Sequence, residues 1–323
     1  MRVSFIIPLY NCLPLTQAML ASLRETLPPG LDFEVIFVDD GSTDGTRPWL
    51  ANLPAPCRTI LNAKNSGFAV SCNRGAATAT GEFLFFLNND LVLLPRWLEP
   101  MLAALDRSPS IGLVGNVQLD AATGAVDHTG IFFNYKGKPA HLTSLPATIR
   151  LFGRPACRPV DALTGACFAI RRPVWEQLGG FDEAYINGSE DIDLCLRSST
   201  AGLRNCVALR SVVRHHISAS TGRKLRDEEN TFRLVKRWQE KIARLAARDW
   251  CRQLVAAHAD RSDVFDYALL QAAAAYLLVL PAPPARVLAG VSETMAQEHR
   301  RWRELLEGAA PMPPPPPVQD IRI

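Results

Sequence analysis

Four short apolar runs, each stopped abruptly by a polar cluster, set the pattern of the first ninety residues. Val3-Ser4-Phe5-Ile6-Ile7 is stopped by Pro8, and Phe33-Glu34-Val35-Ile36-Phe37-Val38 by Asp39-Asp40-Gly41-Ser42. Cys57–Leu61 is a weaker third run, and Glu82-Phe83-Leu84-Phe85-Phe86-Leu87 a fourth. Runs of this length, rich in β-branched and aromatic residues, are buried strands. Helical stretches separate them. One covers residues 14–26, with Pro14 suited to a first turn. A short one is capped by Thr43 or Asp44, and one rich in small residues covers 67–80. This β-α-β-α order predicts an α/β fold on a mainly parallel sheet covered on both faces.

In such sheets ligands bind outside the carboxyl ends of the strands. Those ends carry Pro8-Leu9-Tyr10-Asn11, Asp39-Asp40-Gly41-Ser42, residues 62–65 and Asn88-Asn89-Asp90. Loop position explains their polarity but not the recurrence of carboxylates and amides. A dinucleotide-binding protein needs G-x-G-x-x-G after the first strand. This chain has Pro8-Leu9-Tyr10-Asn11-Cys12 there, and it also lacks the G-x-x-x-x-G-K-S/T loop of the P-loop nucleotidases.

The net charge of +3 over 323 residues argues against a nucleic-acid binder, which shows a strong basic face. No two of the eight cysteines form a CxxC pair, so buried thiols in a reducing cytosol are expected rather than a zinc ribbon. No secretory leader is expected, since the apolar run at Val3 is short and lacks a small-residue cleavage site. The apolar stretch 267–285 is interrupted by Gln271 and broken by Pro281, Pro283 and Pro284. It falls short of the roughly 20 residues a membrane span needs, and reads as a packed helix.

Residues 111–170 carry strand-like pieces that extend the sheet. Short helices are expected at 172–178 and 191–199, and a strand over 206–213 leading to His215-His216. From about residue 224 the pattern is helical and rich in both charges. The tail 311–317 is nearly all proline and is expected to be extended or disordered. The expected organisation is a catalytic domain over 1–240, a helical extension over 241–308 and a Pro-rich tail over 309–323.

Seven segments together resemble family 2 glycosyltransferases of the GT-A fold: residues 6–11 (IIPLYN), 38–46 (VDDGSTDGT), 65–75 (NSGFAVSCNRG), 86–95 (FLNNDLVLLP), 163–172 (LTGACFAIRR), 179–197 (GGFDEAYINGSEDIDLCLR) and 215–221 (HHISAST). They occur in the family's order over about 3–240. The resemblance, rhamnosyltransferase-like in character, implies inverting transfer of a sugar from a UDP- or dTDP-linked donor to a hydroxyl of a glycan or lipid-linked acceptor. With the weak charge and the unpaired cysteines, the expectation is no nucleic-acid partner and a cytoplasmic location, with attachment to the inner face of the membrane as a variant of it. Oligomerisation, partner docking and membrane-surface contact are the roles left open for the C-terminal helices.

The resemblance also assigns residues. Asp40 takes the place of the carboxylate that accepts the pyrimidine imide N–H, with Tyr10 beside the base. Pro8, Asn11, Asn65, Gly67 and Asn73 complete that nucleotide-binding end, with Asn88 and Asn89 beyond them. Family members usually carry Asp-x-Asp to hold a divalent cation, Mn²⁺ or Mg²⁺. Here Asn88-Asn89-Asp90 replaces the first carboxylate, leaving Asp90 as metal ligand with His215. Ser218, Ser220 and Thr221 offer donors to phosphate. Asp191, in the first turn of its helix, matches the base that deprotonates the acceptor, with Glu190 positioning it. Gly165 and Ala166 line the sugar and acceptor pocket. The loss of a carboxylate at Asn88 leaves a second reading, a non-catalytic sugar-nucleotide-binding or scaffold relative.

Overall fold

The computed structural model describes residues 2–145, 156–216, 227–259 and 266–308, with side chains to Glu304 in the last segment. Ser218, Ser220, Thr221 and the tail at 309–323 lie outside them. The chain forms two compact units, Met1–Ile131 with His141–Arg223, and Phe132–Ala140 with Lys224–Ile323.

The first unit is built on one twisted sheet. Its strands are β1 (Arg2–Leu9), β2 (Asp32–Asp39), β3 (Cys57–Leu61), β4 (Phe83–Leu87), β5 (Leu91–Leu93), β6 (Ile111–Asp120), β7 (Val126–His128), β10 (Cys157–Val160), β11 (Cys167–Arg171) and β12 (Arg204–His215). The short hairpin of β8 (Ile131–Phe133) and β9 (Pro139–His141) lies between β7 and β10 in the sequence. The sheet order is β10-β12-β6-β11-β4-β1-β2-β3, with β5 on β12 and β7 on β6. β1, β2, β3 and β4 are mutually parallel, whereas β11 runs antiparallel between β4 and β6.

Burial on both faces explains why the strands read as continuous apolar runs. Val3, Phe5, Ile7 and Leu9 of β1 face a core with Met19, Leu20 and Leu23 of α1 (Leu13–Thr26). Thr16, Met19, Leu20 and Leu23 recur at helical spacing, which is why this stretch folds as an amphipathic helix. Two further helices, α2 (Thr46–Leu50) and α3 (Phe68–Thr78), follow β2 and β3. Later come α4 (Leu98–Arg107), α5 (Arg172–Leu178) and α6 (Glu190–Thr200). An aromatic cluster joins Phe86 and Phe168, stacked at 4.7 Å, to Trp175 and Phe181.

Pro8 shapes the site end of β1. It has no N–H to give, and the β1–β4 ladder ends at Ile6 opposite Phe86. The β1–β2–β3 ends stay level, since Asp40 donates its N–H to Leu9 and Asn62 donates its N–H to Asp39, both at 2.8 Å.

The second unit comprises α7 (Asp227–Arg237), α8 (Gln239–Ala259), α9 (Tyr267–Leu278), α10 (Ala285–Gly308) and the hairpin tip Phe132–Ala140. Trp250 donates to Thr294 at 2.9 Å, tying α8 to α10. The tip is held by Tyr135 N–H to Asp249 at 2.9 Å and by Lys136 to Glu298 at 2.8 Å. Leu278 and Val279, at the end of α9, are 82% and 77% exposed. Among the described residues no helix is long and apolar enough to cross a membrane.

Candidate active site

Three strand ends and one helix start gather the polar residues. After β1, Asn11 and Cys12 both adopt left-handed backbone, φ 56° and 61°. Asn is among the residues that tolerate it, and the turn is fastened to the β2 loop. Asn11 N–H donates to Ser42 Oγ at 2.7 Å, and Asn11 Oδ1 accepts from Thr43 N–H at 2.8 Å. Tyr10 is left 38% exposed beside this turn.

Asp40 is buried and accepts three donors. Asn62 Nδ2 reaches Oδ1 at 2.7 Å, Ser66 N–H reaches Oδ1 at 2.9 Å, and Gly67 N–H reaches Oδ2 at 2.8 Å. The carboxylate thus shapes the 62–67 loop, which contains the exposed Asn65. Gly67, at φ 95° and ψ 167°, occupies backbone space open essentially to glycine alone and starts α3. Asn73 points elsewhere: its amide donates to Phe181 O and Glu183 and accepts from Phe181 N–H, tying α3 to the 181–183 loop. Asn89 is likewise spent on Thr16 of α1, at 2.9 Å. Asn88 donates its N–H to Ala166 O at 2.8 Å, so the β4 end and the 165–166 turn are one structure.

The end of β4 also carries Asp90, which meets His215 at the end of β12. Asp90 Oδ1 and His215 Nε2 stand 3.2 Å apart, yet neither is aligned as a hydrogen bond, and His215 Nδ1 is also unpartnered. Both side chains are largely buried. Buried polar atoms are normally satisfied. Two orphaned ligand atoms converging at this spacing suit a shared cation, and an oxygen with one imidazole nitrogen is a fitting donor pair for Mn²⁺ or Mg²⁺. Among the described residues no three His, Cys, Asp or Glu side chains cluster to hold a metal. A cation held here would complete its shell from phosphate oxygens and water.

The site field is negative. Burial, with the charges of Asp44 and Asp90, pushes the Cys12 thiol up; burial, with Glu190 and Asp40, pushes Cys72 well up. A diphosphate entering this field needs positive charge brought with it.

The helix start is the fourth element. α6 begins at Glu190, preceded by Ser189 and Asn187, both in left-handed backbone. Glu190 is buried and accepts from Gly188 N–H at 2.7 Å, closing that turn. Asp191 Oδ2 accepts from Gly165 N–H at 2.6 Å, and Oδ1 accepts from Ile192 N–H at 2.8 Å. Gly165 is glycine for a reason: a Cβ there would lie 3.2 Å from the Phe68 ring and 3.4 Å from Asp191. Asp193 and Arg197, four residues apart, form a buried ion pair at 2.7 Å that braces α6.

Sequence reasoning assigned no role to two residues near these elements. Asn187 Oδ1 accepts from Phe68 N–H at 3.0 Å, joining the loop before α6 to the start of α3. Its place in an Asn-Gly pair next to Ser-Glu-Asp was the available signal. His128 is fully buried with neither ring nitrogen hydrogen-bonded. Burial and the neighbouring His141 and His215 hold it well below the ordinary histidine range.

An α/β sheet with carboxylates collected outside its strand ends has known counterparts. GalNAc-T7, solved with UDP, GalNAc and Mn²⁺, superposes with a TM-score of 0.62 over 84% of this chain and 53% of its own, at 16% identity. The fold is that of the GT-A glycosyltransferases. Residues 4–179, more than half of the chain, match glycosyl transferase family 2, and the chain belongs to that family. It is 32% identical over 227 residues to the O-antigen biosynthesis protein RfbC of Myxococcus xanthus, covering 68% of this chain. It spans only 18% of that relative's length. It is 28% identical over 238 residues to the N-acetylglucosaminyl-diphospho-decaprenol L-rhamnosyltransferase of Mycobacterium tuberculosis, covering 66% of this chain and 76% of the relative.

Proposed function

We propose that the chain transfers a hexosyl or deoxyhexosyl group, with inversion, from a UDP- or dTDP-sugar to a hydroxyl of a glycan or lipid-linked acceptor. The observation that carries this is the fixed Asp191 carboxylate, gripped by Gly165 and Ile192 N–H at the mouth of α6. Inverting transfer is one in-line displacement, so the acceptor hydroxyl must lose its proton opposite the leaving group. Asp191 takes that proton through Oδ1 or Oδ2 as the new C–O bond forms. Glu190, by closing the 188–190 turn, sets where Asp191 stands. Gly165 and Ala166 give the sugar a wall with no side chain to displace it.

The base is held at the other end. Asp40 organises the 62–67 loop, keeping Gly67 and the Asn65 amide at the nucleotide, and Tyr10 offers a ring for stacking. Asp90 and His215 would hold the divalent cation, which would supply positive charge against the leaving diphosphate. The relatives named for O-antigen biosynthesis and for a rhamnosyl transfer onto a diphospho-polyprenol support a polysaccharide or lipid-linked acceptor.

Screening the full chain against UDP- and dTDP-sugars with Mn²⁺ tests this. A Mn²⁺-dependent thermal shift with one nucleotide series, and turnover of one of its sugars, is the expected result. Binding without turnover under every acceptor tried, equal in Asp191→Asn, would favour the non-catalytic relative. No shift with any nucleotide would overturn the assignment of the strand ends.

A further inference from the structure

A second chemical feature lies at the outer edge of the sheet, away from the strand ends that carry Asp40, Asp90 and Asp191. β10 is the outermost strand and pairs antiparallel with β12, Cys157 opposite Ala208 and Pro159 opposite Cys206. Residues two apart on a strand share a face, so Cys157 and Cys206 are diagonal neighbours on one face. Each thiol acts on the other's ionisation. Cys206 is buried in the core and Cys157 half-buried. Both line a cavity of about 370 Å³ whose wall also carries Arg107, Ser108 and Arg204.

The other half-buried cysteines make the comparison. Burial and nearby carboxylates push Cys12 up, and burial pushes Cys57 up in spite of Arg24. Cys157 goes the other way. The neighbouring Cys206 thiol outweighs burial and, with the Arg107 charge, lowers the Cys157 thiol. Cys206 is pushed up by the Cys157 thiol and by burial. A thiolate beside arginines in a solvent-reached cavity is the reactive kind.

We propose that Cys157 is a modification site for hydrogen peroxide and that Cys206 is its resolving thiol. The Cys157 thiolate attacks one peroxide oxygen, the O–O bond breaks, and hydroxide leaves, giving a sulfenic acid. The Cys206 sulfur then attacks the sulfenic sulfur. An S–S bond forms, the S–O bond breaks, and the Cys206 proton departs with the hydroxyl as water. The two sulfurs together give up two electrons, which the peroxide accepts. The hydroxide takes up the proton that Cys157 lost on ionising, so each peroxide ends as two waters. A diagonal pair is spaced more widely than a disulfide requires, and β10, hydrogen-bonded along one edge, is the strand that closes the gap.

The test uses the full chain, fully reduced, with hydrogen peroxide as probe. Peptide mapping is expected to show one cross-link, Cys157 to Cys206, reversed by dithiothreitol, with the other six of the eight cysteines still alkylatable. Cys206→Ser is expected to stop at a Cys157 sulfenic acid that dimedone traps. A comparison that needs no variant is iodoacetamide labelling at pH 7. Cys157 should react roughly five- to ten-fold faster than Cys12 or Cys57, its larger thiolate fraction partly offset by lower nucleophilicity. Its rate should reach half its maximum at a lower pH than theirs. Equal labelling of the three, or peroxide cross-links that map elsewhere, would overturn the proposal.

Discussion

The backbone N–H of Gly165 holds Oδ2 of Asp191 at 2.6 Å, across 26 residues of sequence. The wall of the sugar pocket and the proposed base are therefore a single positioned unit. Asp191→Asn should lower turnover roughly 10²- to 10⁴-fold, the usual worth of a general base. Both carboxylate oxygens face N–H donors, so the amide also leaves one donor opposed, at about 1–3 kcal/mol. Single-turnover rates together with a nucleotide thermal shift check this. Retained nucleotide binding with lost turnover is the expected split.

Gly165→Ala tests the contact from the other side. The new Cβ at 3.2 Å from the Phe68 ring crowds that ring by a few tenths of an ångström, while 3.4 Å from Asp191 is ordinary contact. The displacement passed on to Asp191 is then small, and kcat should fall by up to about 10-fold. The melting temperature should move by no more than about 1 kcal/mol of stability implies. A variant with unchanged kcat would show that Asp191 tolerates displacement.

Asp90→Asn and His215→Ala should each abolish the Mn²⁺-dependent part of the nucleotide shift. The loss in turnover should be roughly 100-fold or more, given the several kcal/mol a bound cation supplies. Calorimetry of Mn²⁺ in the presence of UDP or dTDP distinguishes a lost ligand from a lost fold. Unchanged Mn²⁺ binding in both variants would place the cation elsewhere.

Asp40→Asn leaves one acceptor oxygen where three donors converge. The amide nitrogen then faces an N–H it cannot accept, costing about 1–3 kcal/mol. The melting temperature should fall, and hydrogen exchange should rise locally at Ser66 and Gly67. Global exchange elsewhere in β1 and β2 should change little by comparison.

Glu34 predicts an acid limit for the fold. Burial alone would raise its pKa, but hydrogen bonds from Ser4 and from Thr80 N–H and hydroxyl, with the Arg58 charge, override burial and lower it to about 2. A depressed carboxylate stabilises above its unfolded value, and that stability is lost as pH falls from about 4.5 toward 2. The contribution is on the order of 3 kcal/mol. Urea midpoints measured from pH 6 to 3 should fall more steeply for the wild type than for Glu34→Gln. Equal slopes would assign acid sensitivity to other groups.

β1, β2 and β4 were legible because they are buried on both faces and carry near-continuous apolar runs, whereas the outer strand β3 is mostly exposed and reads more weakly. β3 coincides with Cys57–Leu61, and β4 begins at Phe83, one residue inside the run that starts at Glu82. The helix at Asp191 starts one residue earlier, at Glu190, because Ser189 in left-handed backbone precedes it. Less legible were side-chain destinations. Nothing local tells that Asn73 is spent on Phe181, 108 residues away, or that Asn89 caps onto Thr16. Those partners follow from sheet order and loop closure. Five of the eight thiols are buried, while Cys12, Cys57 and Cys157 are half-buried, since their apolar surroundings sit at turns and on outer strands.

The hairpin tip Phe132–Ala140 belongs to the helical unit although the sequence on either side of it belongs to the other. The chain therefore crosses between units three times, and no single cut separates them. A fragment ending at Arg223 would carry Phe133, Lys136 and Lys138 stripped of Glu298 and Glu228. Shuffling the C-terminal helices between relatives at one breakpoint would leave the same mismatch.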